Sequence, residues 1–468
     1  MTTTSPPRHS VAGVVTAASF GFSVVQLDVT IVNVALPAIE HSLGAGIAEL
    51  QWVIDAYALV FAVLLLSAGV IGDRFGSRQA YLAGFWLFAA SSLACGLAPN
   101  AATLIAARAT QGIGAALLVP SSLTLINHAC GHDAALRARM VGVWTATSGI
   151  AIASGPIVGG LLLGWFGWRT IFLVNIPVCL FAITLTLKVT QKSEVERQDG
   201  GLDPFGQVLA IAALTGLVGA VIEARPLGLT SPVVIGGAVI AVLAGVGFVG
   251  WEHRSKAPML PLKYFGLPNF SAATLFGAAV NLTYYGALFV LSLYLQQAKG
   301  WTPIQAGLAY LPLTGTFILS NTASGMLAAR FGSQPPMVAG AMIAAIGFGL
   351  LVPLGVDSSF LDMLPAFVLI PAGMGLAVPA MTTAILSSVE REASGVASAV
   401  LNTARQAAGA IGVALFGALA GTGAEIVPGL RSAALISVAL ALCAAALAAL
   451  GMTRTRQATV TQEDRAAA

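Results

Sequence analysis

Four charged residues stand inside long apolar stretches of this 468-residue sequence, and their types suit proton transfer or the binding of a charged group. They are Asp28, Asp55, Arg108 and Arg405. A charge at the middle of a membrane costs about 2.5–3.5 kcal/mol even on a lenient scale, so such residues are typical of functional sites. Burial makes a carboxylate take up a proton more readily, and a nearby arginine opposes this. An arginine that moves toward or away from an acid can therefore make it release or take up a proton.

Three of these charges are predicted to lie in one layer. At about 1.5 Å of rise per residue, Asp28 lies roughly 14 Å from the end of its apolar stretch, Asp55 roughly 8 Å and Arg108 roughly 10 Å. We expect the three to form a cluster that couples protonation to movement of Arg108. The alternative is a static ion pair between Asp28 and Arg108 that only fixes helix register.

Polar side chains on two further stretches are predicted to line a cavity for an amphipathic organic molecule. Asn402, Arg405 and Gln406 share one helical face, with Arg405 near the membrane midplane. A second stripe consists of Asn281, Tyr284, Tyr285, Ser292 and Gln296. Other candidates for substrate binding are Asn33, Gln51, Trp52, Gln111 and Asn321. Packing is the alternative role for each tyrosine.

A short loop with glycines and charges occurs twice. In the first copy, at 69–84, Asp73, Arg74 and Arg78 are predicted to form an inter-helix ion pair that latches one conformation. The second copy, at 325–340, has Ala329 in place of the acid and Gln334 in place of the second arginine. The repeat predicts two related halves, an arrangement typical of transporters with a central site.

A stretch of small residues surrounds a proline further along. Its members Gly155, Pro156, Gly159 and Gly160 permit close helix contact and loosen the backbone hydrogen bonding, so they predict a hinge or a tight seam between helices.

The sequence lacks the motifs of several other classes of protein. It has no phosphate-binding Gly-x-x-x-x-Gly-Lys-Ser/Thr loop and no Ser/His/Asp or paired-carboxylate pattern, so we expect neither an ATP-driven pump nor an enzyme. His128, His132 and Asp133 fall in a loop without assured metal geometry, so no metal and no cofactor are expected.

The amino-acid composition indicates a membrane protein. Hydrophobic residues make up 57% of the chain and charged residues 9%, against a usual charged share of about 25%. With four cysteines and a net charge of +3, a disulfide scaffold, a disordered chain and a nucleic-acid binder are excluded as interpretations. Apolar stretches of roughly 20 residues predict an all-α polytopic membrane protein.

Fourteen membrane spans are predicted between the charged segments. They lie near 11–36, 50–71, 79–97, 101–126, 140–163, 168–188, 204–223, 231–251, 269–295, 303–329, 335–355, 361–387, 393–420 and 431–452. Sixteen of the 22 Lys and Arg residues fall in loops on one side and four on the other, which puts both termini in the cytoplasm. The predicted domains are a six-helix bundle at 1–190, a linker with two inserted helices at 191–268, a second six-helix bundle at 269–452 and a tail at 453–468.

Taken together, the motifs resemble those of the major facilitator superfamily, in its fourteen-span drug:proton antiporter branch. The resemblance is carried by the first-span sequence from Leu27 to Pro37, the loop at 72–78, the Arg108–Ala116 segment, the Gly155-Pro156 stretch and Asn402–Gln406. The resemblance covers nearly the whole chain, and the sequence is similar in particular to actinobacterial antibiotic exporters. It implies the major facilitator fold, with Asp28 and Arg108 taking part in proton coupling and drugs bound between the halves.

The function implied is export of small amphipathic drugs or antibiotics across the bacterial inner membrane, driven by the proton gradient. The expected partners are the drug, protons and the lipid bilayer, with no nucleic acid, and the chain is expected to be a monomer. The alternatives are export of an endogenous lipid, siderophore or amino acid by the same mechanism, and a non-transporting membrane receptor. Unlike some multidrug members, the second half has no acid at mid-membrane depth, which favours neutral or anionic substrates.

Overall fold

The computed structural model describes residues 11–131, 133–190, 203–255, 258–390, 394–421 and 423–452. Within these ranges the regular structure is helical and no strand occurs. The predicted tail at 453–468 and parts of the predicted linker, at 191–202 and 256–257, lie outside them, as does His132.

Sixteen α-helices follow one another along the described chain. The first group is α1 (Val11–Leu43), α2 (Ile47–Phe75), α3 (Ser77–Gly96), α4 (Ala101–Cys130), α5 (Ala134–Phe166), α6 (Thr170–Leu173) and α7 (Asn175–Val189). Two helices follow it, α8 (Pro204–Leu227) and α9 (Pro232–Arg254). The second group is α10 (Pro268–Leu293), α11 (Pro303–Ala309), α12 (Leu311–Phe331), α13 (Gln334–Gly349), α14 (Phe360–Leu386), α15 (Ser394–Ala420) and α16 (Ile426–Gly451).

Ten helical segments among the described residues are long and apolar enough to cross a membrane, by length and composition. An eleventh is α5 if its two parts count as one span, since the helix bends by 41° between Ile152 and Ser154. The prediction of an all-helical membrane protein is confirmed at this level.

The two groups repeat the same packing. Helix α1 packs on α5 as α10 packs on α15, α2 packs on α4 as α12 packs on α14, and α3 packs on α7 as α13 packs on α16. Helices α6 and α7 are separated by one residue and form one unit, and α11 and α12 do the same in the second group. One group is therefore a structural copy of the other.

The repeated loops make equivalent contacts in the two groups. Gly76 and Gly332 both have positive φ, 92° and 81°, which lets the chain turn tightly into α3 and α13. Two residues later, Arg78 donates to Thr190 Oγ1 at 3.0 Å and to the Leu187 carbonyl at the end of α7. Gln334 donates in the same way to the last carbonyls of α16, those of Ala448, Ala449 and Met452. Each residue satisfies helix-end carbonyls that have no partner within their own helix.

The two groups are hydrogen-bonded to each other near the end where α1 finishes and α2 begins, which we call the α1–α2 end. Gln51 donates from α2 to the Val413 and Ala414 carbonyls of α15, at 3.2 and 2.7 Å. On the other flank, Ser292 and Gln296 donate to backbone carbonyls of α1, at 2.5 and 2.9 Å. The α1–α2 end is therefore closed.

Two glycines bring the groups into backbone contact at the same end. A Cβ placed on Gly160 of α5 would lie 2.6 Å from the Pro303 carbonyl oxygen and 3.1 Å from the Cα of Gly307, at α11. Gly155 and Gly159 of the same helix face Thr30 and Ile31 of α1. The small residues of α5 thus form a seam with two neighbours, because no side chain separates the backbones.

Helix α8 lies beside the contact between the groups. It packs on both α2 and α15 and forms an apolar cluster of its own, made of Ala58, Leu59, Val218, Ile222, Ala410 and Ala414. Helix α9 packs mainly on α8 and leaves much of its apolar surface exposed, including Val242, Leu243 and Val246. Such a surface suits contact with lipid.

Substituting Gly160 by alanine is expected to open the α1–α2 end, because its methyl group would overlap the Pro303 carbonyl. The measurement is the labelling rate of a cysteine placed at Ser292, which is 1% exposed, by a membrane-impermeant maleimide in a Cys443→Ser background. The matched control is Gly142→Ala on the same helix, where an added Cβ meets nothing within 4 Å. Equal labelling rates in the two variants would show that the glycine contact does not hold this end closed.

Candidate functional site

The expected pair of opposite charges forms at the centre of the first group. Nη1 of Arg108, on α4, donates to Oδ2 of Asp28, on α1, and the two side chains are 1% and 0% exposed. Nε of Arg108 donates to the Val53 carbonyl of α2 at 3.0 Å. This contact fixes the guanidinium between three helices.

The second oxygen of Asp28 is also fully engaged. Its Oδ1 accepts from Gln111 Nε2 at 3.0 Å and from Asn175 Nδ2 at 2.9 Å. Ser92 Oγ on α3 accepts from the same two amides, at 2.9 and 3.3 Å. Asn175 and Ser92 were not singled out from the sequence, although an asparagine at the start of an apolar helix, two residues before Pro177, was a detectable signal.

Aromatic rings and weakly acidic groups complete the surroundings of the pair. The Arg108 guanidinium carbon lies 4.3 Å from the centre of the Tyr57 ring and 5.7 Å from that of Phe172. Tyr57, Cys95 and Cys179 also interact electrostatically with Asp28. Arg108 is the one cation that forms an ion pair with Asp28 in the described part of the chain.

This arrangement can hold a carboxylate and can also hold the neutral acid. Three donors, from Arg108, Gln111 and Asn175, surround a buried charge that would otherwise be very costly. Amide side chains both donate and accept, so Gln111 and Asn175 can turn an oxygen toward the acid once it carries a proton. The pair is chemically suited to reversible protonation coupled to release of Arg108.

Asp55 lies apart from this pair, so the expected cluster of three charges is a pair and a separate acid. Its side chain is fully buried, and neither carboxyl oxygen has a hydrogen-bond partner among the described residues. Asp55 lines a small cavity between α1, α2, α10 and α15, together with Asn33, Tyr285 and Gln406. The cavity volume is about 10 Å³, roughly what one water molecule needs.

The cavity is far smaller than a drug-binding site, which typically has about 300–1,000 Å³. It lies just beyond the closed α1–α2 end, since Val413 lines it and also accepts a hydrogen bond from Gln51. In this conformation the cavity is therefore too small to hold a drug-sized molecule.

Arg405 lies on the same face of α15 as the cavity, one turn from Gly409. Its Nε is buried without a hydrogen-bond partner among the described residues, and its Nη1 reaches only Asn402 Oδ1, at 3.5 Å. Neither of the two ion pairs in the described part of the chain involves Arg405.

The remaining candidates for substrate binding fall into several places. Gln111 belongs to the Asp28 site, Gln51 joins the two groups, and Trp52 donates to Glu223 of α8 at 3.3 Å. Asn281 donates to its own helix at Gly277, at 2.9 Å, and Tyr284 packs edge to face on Tyr285.

Two candidates lie on helices of the second group that face the first. Asn321 of α12 faces Gly149 of α5, where an added Cβ would lie 3.6 Å from its Nδ2. Asn402 donates to the Ser398 carbonyl within α15.

The candidate latch residues lie at the turn between α2 and α3. Arg78 connects α3 to the end of α7 within the first group, and Arg74 is exposed with its guanidinium 5.8 Å from the Phe75 ring centre. The side chain of Asp73 lies outside the described part of the structure.

Comparison with known proteins agrees with this fold. The family model described as Major Facilitator Superfamily matches residues 18–413. The chain is 37% identical to the Methylenomycin A resistance protein of Streptomyces coelicolor over 403 residues, 86% of this chain and 84% of that protein. It is 36% identical to the Tetracenomycin C resistance and export protein of Streptomyces glaucescens, over 86% of this chain and 74% of that protein.

A mycobacterial relative extends the comparison. The Multidrug efflux pump LfrA of Mycolicibacterium smegmatis is 32% identical over 89% of this chain and 82% of that protein. The resemblance inferred from the motifs is confirmed by these matches, which cover most of each chain. The protein belongs to the Major Facilitator Superfamily.

Proposed function

We propose that this protein exports small amphipathic drugs or antibiotics from the bacterial cytoplasm in exchange for protons. The observation that carries the proposal is the buried Asp28–Arg108 pair, a site suited to reversible protonation. Relatives named for antibiotic resistance and drug efflux support the choice of substrate class. The energy source is the proton gradient rather than a cofactor. Each charge that crosses the membrane releases about 2.3 kcal/mol per 100 mV, which can maintain roughly a fifty-fold ratio of substrate concentrations.

The topology proposed has fourteen spans with both termini in the cytoplasm. Helices α3, α12 and α13 are added to the eleven segments above because each packs along a longer span, α3 on α4 and both α12 and α13 on α14. The distribution of Lys and Arg sets the orientation. The division into bundles at 1–190 and 269–452, with two inserted helices at 191–268, is supported by the repeated packing of the two groups.

With this orientation the closed α1–α2 end faces the outside, and the protein is closed outward. Substrate then enters from the cytoplasm between the two groups. Binding is proposed to involve Asn33, Tyr285 and Gln406 at the cavity, with Arg405 and Asn402 one turn below. Asn281, Tyr284 and Asn321 lie on helices that flank this route.

Proton coupling is assigned to Asp28 and Arg108, with Asp55 as a second acid. A proton on Asp28 removes the charge that holds Arg108, so that the guanidinium can change partners when the groups move. Asp55, buried without hydrogen bonds, is suited to be neutral in this conformation because an unpaired buried charge is costly.

Conformational change is assigned to the loop and the glycine seam. Asp73, Arg74 and Arg78 are proposed to latch one state at the cytoplasmic end, where Arg78 already anchors α3 to α7. Gly155, Pro156, Gly159 and Gly160 are proposed as the hinge, since the bend of α5 lies next to them and their backbones touch α1 and α11.

Transport itself is tested in inverted membrane vesicles with an imposed proton gradient. Vesicles containing the protein are expected to accumulate a fluorescent amphipathic drug and to lose it when an uncoupler is added, because protons leaving the acidic vesicle lumen drive the drug inward. Vesicles without the protein are the control. Accumulation that an uncoupler leaves unchanged would contradict proton coupling, and binding without accumulation would indicate a receptor.

The Asp28→Asn variant is expected to lose gradient-driven export down to the level of vesicles without the protein. Asparagine has nearly the size of aspartate and still forms hydrogen bonds, but its amide cannot take up or release the proton. Exchange of labelled for unlabelled drug across the membrane, without a proton gradient, is expected to persist. Gradient-driven export equal to that of the parent would remove Asp28 from the mechanism.

Asn175→Leu is expected to lower gradient-driven export by about 10- to 100-fold, because the buried Asp28 carboxylate loses a hydrogen bond worth about 1.5–3 kcal/mol. Asn175→Ser keeps a donor and is expected to restore part of the activity. The measurement is drug accumulation in inverted vesicles, normalised to the amount of folded protein. Export by Asn175→Leu equal to that of the parent would show that this hydrogen bond is not needed for coupling.

A further inference from the structure

The guanidinium of Arg405 has no ion-pair partner in the described part of the protein, and its side chain is only partly exposed. It lies on a face of α15 that the two groups share, and its Nε is buried without a partner. Removing an arginine from water is costly unless an anion or several acceptors surround it. The long contact to Asn402, at 3.5 Å, supplies little of that compensation.

No described acid of the second group pairs with Arg405. Between residues 269 and 452 the sequence contains five acidic residues, Asp357, Asp362, Glu390, Glu392 and Glu425. In the sequence, Asp357 and Asp362 flank the start of α14, Glu390 and Glu392 lie between α14 and α15, and Glu425 lies between α15 and α16. Of the four that the structure describes, which exclude Glu392, only Glu425 forms an ion pair, and its partner is Arg225.

The first group does not supply the counter-charge in this conformation either. Asp28 is paired with Arg108 and surrounded by its own donors. Asp55 is on the facing helix α2, but neither of its oxygens has a partner among the described residues. Arg405 therefore has no counter-ion among the described residues, and an anion from outside the chain can pair with it.

The neighbours of Arg405 fit an acid attached to an apolar body. Its side chain passes Gly277 of α10, where an added Cβ would lie 3.3 Å from Cγ of Arg405. It interacts electrostatically with the Tyr285 hydroxyl, and Tyr284 and Tyr285 offer aromatic surface beside it. A planar guanidinium binds a carboxylate through two parallel hydrogen bonds, which no neutral group matches.

We infer that Arg405 is the subsite for the acid group of the substrate, and that the preferred cargo is an amphipathic organic carboxylate. This inference rests on the proposed function and adds the charge class of the substrate. Asp28 does not line the cavity, so different residues handle the proton and the charge of the cargo. An inside-negative membrane potential also favours outward movement of an anion.

Binding is tested on the purified full-length protein with two probes that differ only in charge, 2-naphthoate and 2-naphthamide. Their affinities are measured from ligand-dependent shifts of thermal unfolding at pH 7.5. The parent is expected to bind the acid more tightly than the amide, and Arg405→Gln is expected to weaken binding of the acid by about 10- to 100-fold while leaving the amide unchanged. Arg405→Lys is expected to lie between the two, since lysine keeps the charge and lacks the fork.

Arg431→Gln is the matched control, because it removes the same charge from a residue bonded to the Leu354 carbonyl at the closed end. Equal affinity of the parent for both probes, or equal loss of acid binding in Arg431→Gln and Arg405→Gln, would overturn the inference. Recovery of acid binding when Asp55→Asn is added to Arg405→Gln would also overturn it, since the role of Arg405 would then be to neutralise Asp55.

The same variants in inverted vesicles separate this inference from the proposed function. If parent vesicles accumulate neither probe nor any drug under a proton gradient, the proposed function fails. If they accumulate drugs but take up 2-naphthoate and 2-naphthamide equally well, with or without Arg405, export stands and the assignment of an acid subsite is wrong.

Discussion

The carboxylate of Asp28 determines how the first group of helices must pack. A buried charge is tolerated only when donors surround it, and here the donors come from different helices: Arg108 and Gln111 on α4 and Asn175 on α7, with Ser92 on α3 bridging the amides. Arg108 in turn needs the Val53 carbonyl of α2. One oxygen pair on α1 therefore fixes the relative positions of four other helices, and any change in its charge alters all of these contacts together.

The contacts between the two groups are of a different kind. Gln51, Ser292 and Gln296 each donate to backbone carbonyls of the opposite group, and no ion pair between the groups occurs among the described residues. Neutral hydrogen bonds contribute about 0.5–1.5 kcal/mol each and can be exchanged for water. An interface held by such bonds and by glycine contacts can separate and form again, whereas the contacts of Asp28 change only when its charge changes.

The charged residues inside long apolar stretches could be found from the sequence alone, because a single Asp or Arg in an apolar stretch is rare. It did not identify Asn175 or Ser92, since small polar residues in apolar helices commonly bond to their own backbone, as Thr186 does here. Spacing correctly placed Asn402, Arg405 and Gln406 on one face, but it could not tell which helix that face meets. For the same reason Gln51 and Trp52, expected near the cavity, instead contact α15 and α8.

The two halves share one architecture and divide the chemistry between them. Where only a structural contact is needed, the copies remain equivalent: Gln334 does for α16 what Arg78 does for α7, although the charge has been lost. Where charge matters they differ, with the paired acid enclosed in the first group and Arg405 alone on the second. Because Asp28 is sealed behind Gln111 and Asn175, it cannot contact a molecule held at Arg405. A change in the protonation of Asp28 can then affect the cargo only through movement of one group against the other. Protonation and movement of the cargo must therefore be linked at the closed α1–α2 end.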